Sequence, residues 1–271
     1  MGWSGNAGRS MWIPLAALGV LVALAAMVVM RATGPEAGAP DGVVLLCDEA
    51  IEPVMRDIVN AFHRRSDVQV EAYFGASADL LERLRNQPRS VDVFVPADAL
   101  FVEEAEEEGL IGETVTLAWA APVILVQEGN PLGIEGVEDL DGPEVRLALA
   151  EDGESVVGRI APAVFERHGL TMDEARVETA IRRGTLSGLG NAIRLGQADA
   201  AILWEPMAAE FPRSEIIAIP PETNAITEIR AGLSASAPRA PDAGEFLEFL
   251  TQSAARAHFE RGRFALECPG S

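Results

Sequence analysis

The sequence predicts an α/β protein in which mostly parallel sheets carry helices on both faces. Short apolar runs of strand length alternate with stretches whose apolar residues recur at helical spacing. Small, hydroxyl or acidic residues mark the handovers between them. Past residue 42 there is no internal repeat and no low-complexity tract, so the alternation runs to the end of the chain.

Residues 1–10 form a short tail. The segment "MWIPLAALGVLVALAAMVVM", Met11 to Met30, is uncharged and long enough to cross a bilayer as a helix. Its length favours a retained anchor, whereas Ala37 and Ala39 in "EAGAPDG" offer a place for signal cleavage. Arg9 and Arg31 flank the segment almost evenly, so charge gives no orientation. Residues 31–42 read as a flexible tether.

"VVLLC" then reads as a buried strand, followed by a helix whose Ile51, Val54, Met55, Ile58 and Phe62 make one apolar face. "VQVEAYF" is a strand, "SADLLERLRNQ" a helix, "VDVFVPAD" a strand, and "ALFVEEAEEEGLI" a helix stopped by Gly109. "APVILVQEG" and "VRLALA" are strands. "VGRIAPAVFERHG" and "TLSGLGNAIRLGQ" are helices, and Pro162 requires the first either to start late or to kink. "ADAAILW" and "EIIAIP" are strands, and the chain closes with "ITEIRAGLSA" and one helix, "AGEFLEFLTQSAARAHFERG".

Composition narrows the chemistry. A formal charge of −21 opposes contact with phosphate backbones, so no nucleic-acid partner is expected. The chain has no lysine, which excludes Schiff-base chemistry and a Walker-type phosphate loop. Cys47 and Cys268 are too few for a disulfide framework or a cysteine zinc site, and an extracytoplasmic address would merely permit them to pair. His63, His168 and His258 lack ligand spacing and read as surface or structural residues. The run "EEAEEEG" reads as a solvated helix face. No Gly-x-Ser-x-Gly or Cys–His pair occurs, so no catalytic residue, cofactor or metal site is assigned.

Three corners repeat one device: "FGASADLL", "GESVVGRI" and "RGTLSGLG" place Ser77, Ser155 and Thr185 where strands hand over to helices. Each would be an N-cap. Together such helix starts could hold an anion with neutral N–H donors and the positive end of the dipole.

From Val43 to Phe264 the sequence resembles the periplasmic molybdate-binding proteins of ABC importers, within the two-lobed periplasmic solute-binding superfamily. The marks are "DIVNAFHRRSDVQVEAYFGASADLLERL", "VDVFVPAD", "APVILVQEGNPLGI", "VEDLDGPEVRLALAEDGESVVGRIAPAVFERHGL", "GQADAAILW" and "FLEFLTQSAARAHFERGRF". The resemblance implies a periplasmic-binding-protein fold: lobe one from 43–120 and 221–271, lobe two from 121–220, and a hinge between them. It further implies an oxyanion held by neutral donors from both lobes. Ala50 stands where the family has its first serine and keeps only the backbone N–H. Ser77 matches the second serine, Val157 and Leu186 would give backbone N–H groups, and Trp204 replaces a tyrosine, so its indole can donate but not accept.

Cys47, Asp48 and Glu49 depart from the small neutral residues expected at the first corner. On one reading either acid is a helix cap that complements the dipole. Alternatively they enter the cleft, where a carboxylate about 6 Å from a ligand charge costs roughly 3 kcal/mol per charge pair at an effective dielectric near 20. Glu49 is therefore a candidate site residue together with Ala50, Ser77, Val157, Leu186 and Trp204. Glu151, Asp152 and Glu154 carry the same ambiguity. The expected protein is a monomeric, extracytoplasmic solute binder rather than an enzyme. Its partners are a small ligand, an ABC permease and, through residues 11–30, the membrane. The ligand is a molybdate- or tungstate-like oxyanion or, alternatively, iron or another cation; an anchored sensor domain is the competing function.

Overall fold

The computed structural model describes residues 42–150, 156–170, 180–183 and 186–270. The strands in chain order are β1 (Val43–Asp48), β2 (Val70–Gly75), β3 (Val93–Val95), β4 (Ile111–Ala120) and β5 (Pro122–Val126), then β6 (Leu147–Ala150), β7 (Ile181–Arg183), β8 (Ala200–Trp204), β9 (Glu215–Ala218) and β10 (Thr227–Ser234). The α-helices are α1 (Glu52–His63), α2 (Ser77–Asn86), α3 (Ala99–Glu107), α4 (Val156–Arg167), α5 (Leu186–Arg194), α6 (Glu205–Ala208), α7 (Ala240–Thr251) and α8 (Ser253–Arg261).

The strands form two five-stranded sheets, ordered β2-β1-β3-β10-β4 and β7-β6-β8-β5-β9, one for each lobe. Both are mixed rather than mostly parallel. In the first, β1 runs parallel to β2 and β3, and β10 runs antiparallel to β3 and β4. In the second, β6 runs parallel to β7 and β8, and β5 runs antiparallel to β8 and β9. The cause lies at the passage between sheets. β4 ends at Ala120 and β5 begins at Pro122, so the chain changes sheets with no crossover helix to impose a parallel sense.

Three elements carry too little apolar signal to be read from sequence. β4 carries Gly112, Glu113 and Thr114 directly after its first residue, Ile111, and long pairing with β10 makes it a strand. β7, "IRR", is an edge strand on β6, and α6 is a single turn. The C-terminal helix is two helices: Gln252 adopts ψ 156°, separating α7 from α8. The Thr251 hydroxyl donates to the Glu248 carbonyl at 2.8 Å, a local bond that competes with helix continuation.

β1 is apolar from Val43 to Cys47 because helices cover both of its faces. Val43, Leu45 and Cys47 join the core formed with Met55, Phe62 and Phe246, while Val44 and Leu46 pack with Leu80, Leu84 and Phe94. Phe62 meets Phe246 edge-on at 5.1 Å between ring centroids. Pro162 lies inside α4, and the helix nonetheless starts at Val156.

Each sheet contains the same clamp. Asp92, just before β3, donates its N–H to the Val44 carbonyl and accepts the Val44 N–H at 2.8 Å on its carboxylate. Asp199, just before β8, treats Arg146 identically, accepting its N–H at 2.9 Å. An arginine completes each: Arg239 Nη1 is 2.7 Å from Asp92, and Arg146 Nη2 is 2.6 Å from Asp199. Where the chain passes between sheets, Asn224 donates to the carbonyls of Pro122 at 2.9 Å and Ile219 at 3.4 Å, joining the outgoing and returning segments.

No helix among the described residues is long and apolar enough to cross a membrane; the segment 11–30, read above as an anchor, lies outside them.

Candidate functional site

Because β1, β2 and β3 are parallel, their carboxyl ends lie together, and each turns there toward a helix. Ligands of open α/β sheets bind at such an edge. The first corner is organised by Asp48. Its backbone stays extended at φ −61°, ψ 142°, and it caps the short turn Glu49–Ile51. Oδ1 accepts the Ala50 N–H at 2.9 Å. Oδ2 accepts the Ser77 N–H at 2.9 Å and the Ser77 hydroxyl at 2.5 Å. The Ser77 oxygen in turn accepts the Ala97 N–H at 2.9 Å. Asp48 and Ser77 are both buried, at 5 % and 3 % exposure.

Two expected site residues, Ala50 and Ser77, are thus brought together, but on a carboxylate of the chain itself. Ser77 is the first residue of α2 rather than its cap; Ala76 holds the cap position. Ser155 and Thr185, the other two expected caps, lie outside the described residues, as do Glu151, Asp152 and Glu154. Glu49 is exposed beside this arrangement.

Electrostatics at the corner are those of a partly desolvated acid cluster. Burial pushes the Asp48 carboxyl above the usual carboxylate range, while the bonds from Ser77 and Ala50 pull it back. Glu49 is raised too, by burial first and then by the charges of Asp48, Glu52 and Asp79. Cys47 is a free thiol with no exposed surface. Burial, followed by Asp48 and Glu52, raises it well above its ordinary value, so it stays protonated and inert as a nucleophile.

The second sheet presents an equivalent edge, since β6, β7 and β8 are parallel. Val157 lies in the first turn of α4, and Leu186 is the first residue of α5. Backbone N–H groups in such first turns have no partner within the helix. Trp204 ends β8. It is 1 % exposed, and its indole N–H has no hydrogen-bond partner. A buried donor without an acceptor is uncommon and costs on the order of 1–3 kcal/mol. Trp204 therefore keeps an unused donor at the edge where the sequence placed it.

A contact between lobes adds residues that the sequence does not single out. Arg159 of α4 reaches Asp98, the cap of α3, with Nη2 at 3.7 Å from Oδ2. Its guanidinium lies 5.3 Å from the centroid of the Phe101 ring. The capping role of Asp98 is readable from "PADAL"; the arginine is not, because its partners lie in the other lobe. The histidines serve structure: His63 Nε2 accepts the Val70 N–H at 3.0 Å, and His168 Nδ1 lies 2.8 Å from Glu138. Among the described residues, no group of three or more His, Cys, Asp or Glu side chains is placed to hold a metal ion.

Residues 43–264 match the family model described as bacterial extracellular solute-binding protein. No curated protein sequence matches the chain. Solved structures share its fold at low identity. The periplasmic molybdate-binding protein of Azotobacter vinelandii is 17 % identical, with a TM-score of 0.71 over 83 % of this chain and 99 % of that one. Iron-bound HitA from Pseudomonas aeruginosa is 12 % identical, with a TM-score of 0.70 over 86 % and 88 %. The substrate-binding domain of a molybdenum ABC transporter from Clostridium difficile is 16 % identical, with a TM-score of 0.69 over 83 % and 99 %.

Proposed function

Since the chain belongs to the bacterial extracellular solute-binding protein family, we propose that it is the extracytoplasmic binding component of an ABC importer. It closes two lobes on a small solute and presents that solute to a permease, without catalysing a reaction. In this reading it works as a monomer, tethered to the membrane through residues 11–30. The lobes meet the ligand with the corner of Glu49, Ala50 and Ser77 on one side and Val157, Leu186 and Trp204 on the other.

The ligand reading rests on Asp48. Its carboxylate takes the Ala50 N–H, the Ser77 N–H and the Ser77 hydroxyl, the donors that a molybdate-like anion would use in lobe one. A dianion arriving there meets occupied donors and a negative charge, with Glu49, Glu52 and Asp79 close enough to add to it. At about 6 Å each such charge pair costs roughly 3 kcal/mol at an effective dielectric near 20, comparable to or larger than the 1.5–3 kcal/mol of a charged hydrogen bond. The favoured ligand brings hydrogen-bond donors or positive charge to this corner. Its neighbours in structure include proteins described as binding molybdate and iron, so the fold is compatible with either sign.

A second reading, an oxyanion, is favoured by Trp204, whose unused indole N–H can only donate. Calorimetric titration of the full chain with molybdate, tungstate, sulfate, phosphate and ferric citrate separates the two. The first reading expects weak or no binding of the tetrahedral anions by the natural protein and stronger binding after Asp48→Asn. Tight molybdate binding that Asp48→Asn leaves unchanged and Trp204→Phe weakens establishes the second.

A further inference from the structure

We propose that Arg159 binds the carboxylate of a small organic solute in a cavity between Asp98, α4 and the returning segment, an inference that rests on the solute-binding reading and narrows its ligand class. The cavity has a volume of about 400 Å³ and is lined by Asp98 and Leu100 of lobe one, Arg159, Ala163 and Arg167 of α4, and the returning segment at Thr227. It therefore touches both lobes and the passage between them. Its volume lies within the range of organic ligand sites and gives far more room than one tetrahedral oxyanion fills.

The chemistry of its lining is specific. A guanidinium has five N–H donors and no acceptor, so the N–H groups of Arg159 need acceptors where water is excluded. Its side chain is 40 % exposed, but Nε and Nη2 are covered by neighbouring groups and have no hydrogen-bond partner. Asp98 stands at 3.7 Å, too far for a hydrogen bond, and directs its other oxygen to the Leu100 N–H at 3.0 Å. The Phe101 ring faces the guanidinium and supports it without accepting its in-plane N–H bonds. Nε and Nη2 together form the edge of the fork that matches the two oxygens of a carboxylate.

Placement supports the same ligand. Arg159, Ala163 and Arg167 are spaced i, i+4, i+8 on α4, so they share one face, and the small Ala163 leaves space between the two arginines. Glu228, the other acid of the lining, is engaged by the Thr116 hydroxyl at 2.6 Å. The cavity also adjoins the first corner through the chain: Asp98 follows Ala97, whose N–H donates to the Ser77 oxygen at 2.9 Å. A solute seated here lies between the face of α4 and the returning segment, with Asp98 at one side. With Asp98 nearby, a singly charged carboxylate is favoured over a dianionic phosphate, which doubles the repulsion.

Titration calorimetry of the full chain with butyrate, 4-hydroxybutyrate and 4-aminobutyrate, against sulfate and inorganic phosphate, tests this inference. The three carboxylates differ in carrying no donor, a hydroxyl or an ammonium at the far end. At least one should bind, with Arg159→Gln weakening it tenfold or more, Arg159→Lys falling between, and Asp98→Asn tightening it. Binding confined to sulfate or phosphate, no binding of any carboxylate, or full affinity in Arg159→Gln with an unchanged unfolding midpoint overturns it. A solute that closes the lobes in small-angle scattering but ignores Arg159→Gln removes this inference and leaves the importer reading intact. Carboxylate binding that depends on Arg159 without lobe closure does the reverse.

Discussion

Ser77 gives its backbone N–H and its hydroxyl to one oxygen of Asp48, at 2.9 and 2.5 Å, and accepts the Ala97 N–H at 2.9 Å in return. The serine is a buried junction of three segments, not an exposed cap worth about 1 kcal/mol. Ser77→Ala removes a bond to a buried carboxylate and leaves the Ala97 N–H unpaired. Urea unfolding should show a loss of about 2–4 kcal/mol, from two buried groups at about 1–3 kcal/mol each with partial relaxation. A loss below 1 kcal/mol would show that water replaces the hydroxyl.

Asp48 and Asp199 should respond to pH with opposite signs. Burial raises the Asp48 carboxyl, so the folded state holds its proton more tightly than the unfolded chain. Its contribution is fully present below the unfolded value near 3.9 and is lost as pH rises through the folded value. Arg146 lowers the Asp199 carboxyl, and that contribution is present above the unfolded value and lost as pH falls through the folded one. Stability measured from pH 3 to 7 against Asp48→Ala and Asp199→Ala should give difference curves of opposite slope. Parallel curves would contradict the environments described.

Trp204→Phe removes an indole N–H that has no partner in the free protein. Loss of ring volume and relief of the unpaired donor oppose each other, so the unfolding midpoint should move little. Ligand affinity should fall about five- to tenfold, the value of one hydrogen bond near 1 kcal/mol or slightly above. If stability falls by several kcal/mol while affinity holds, the indole serves packing alone.

The two clamps should differ in strength. Asp92 has a fully buried side chain and Arg239 is 16 % exposed, whereas Asp199 and Arg146 are 10 % and 52 % exposed. Asp92→Asn removes a fully buried negative charge from its contact with Arg239 and should cost about 3 kcal/mol. Asp199→Asn, screened by solvent, should cost about 1 kcal/mol or less. Chemical denaturation of both variants measures the difference, and equal losses would argue against burial as its cause.

Much of the fold was legible because strands such as "VVLLC" and helices such as that of Met55, Ile58 and Phe62 carry their periodicity locally. What escaped is set by distant partners. β4 is a strand because β10 lies beside it, and the sheets are mixed because the chain changes sheets through Ala121 alone. At the site, Trp204 was named only by the family resemblance, while the corners were readable from strand ends. The use of Ser77 by Asp48 was not, since 29 residues separate them and the family pattern has no acid there. Arg159 shows the same limit: its surroundings come from α3, and nothing in "VGRIAPAVF" marks it.

Asn224 has a mechanical consequence. By bonding the carbonyls of Pro122 and Ile219, its amide fastens the outgoing strand to the returning one, as a pin fastens two leaves. Two separate strips would allow the lobes to shear and twist as well as bend. Pinned at this point, they are left with one easy rotation, so the closure proposed above would bring the same pair of edges together each time.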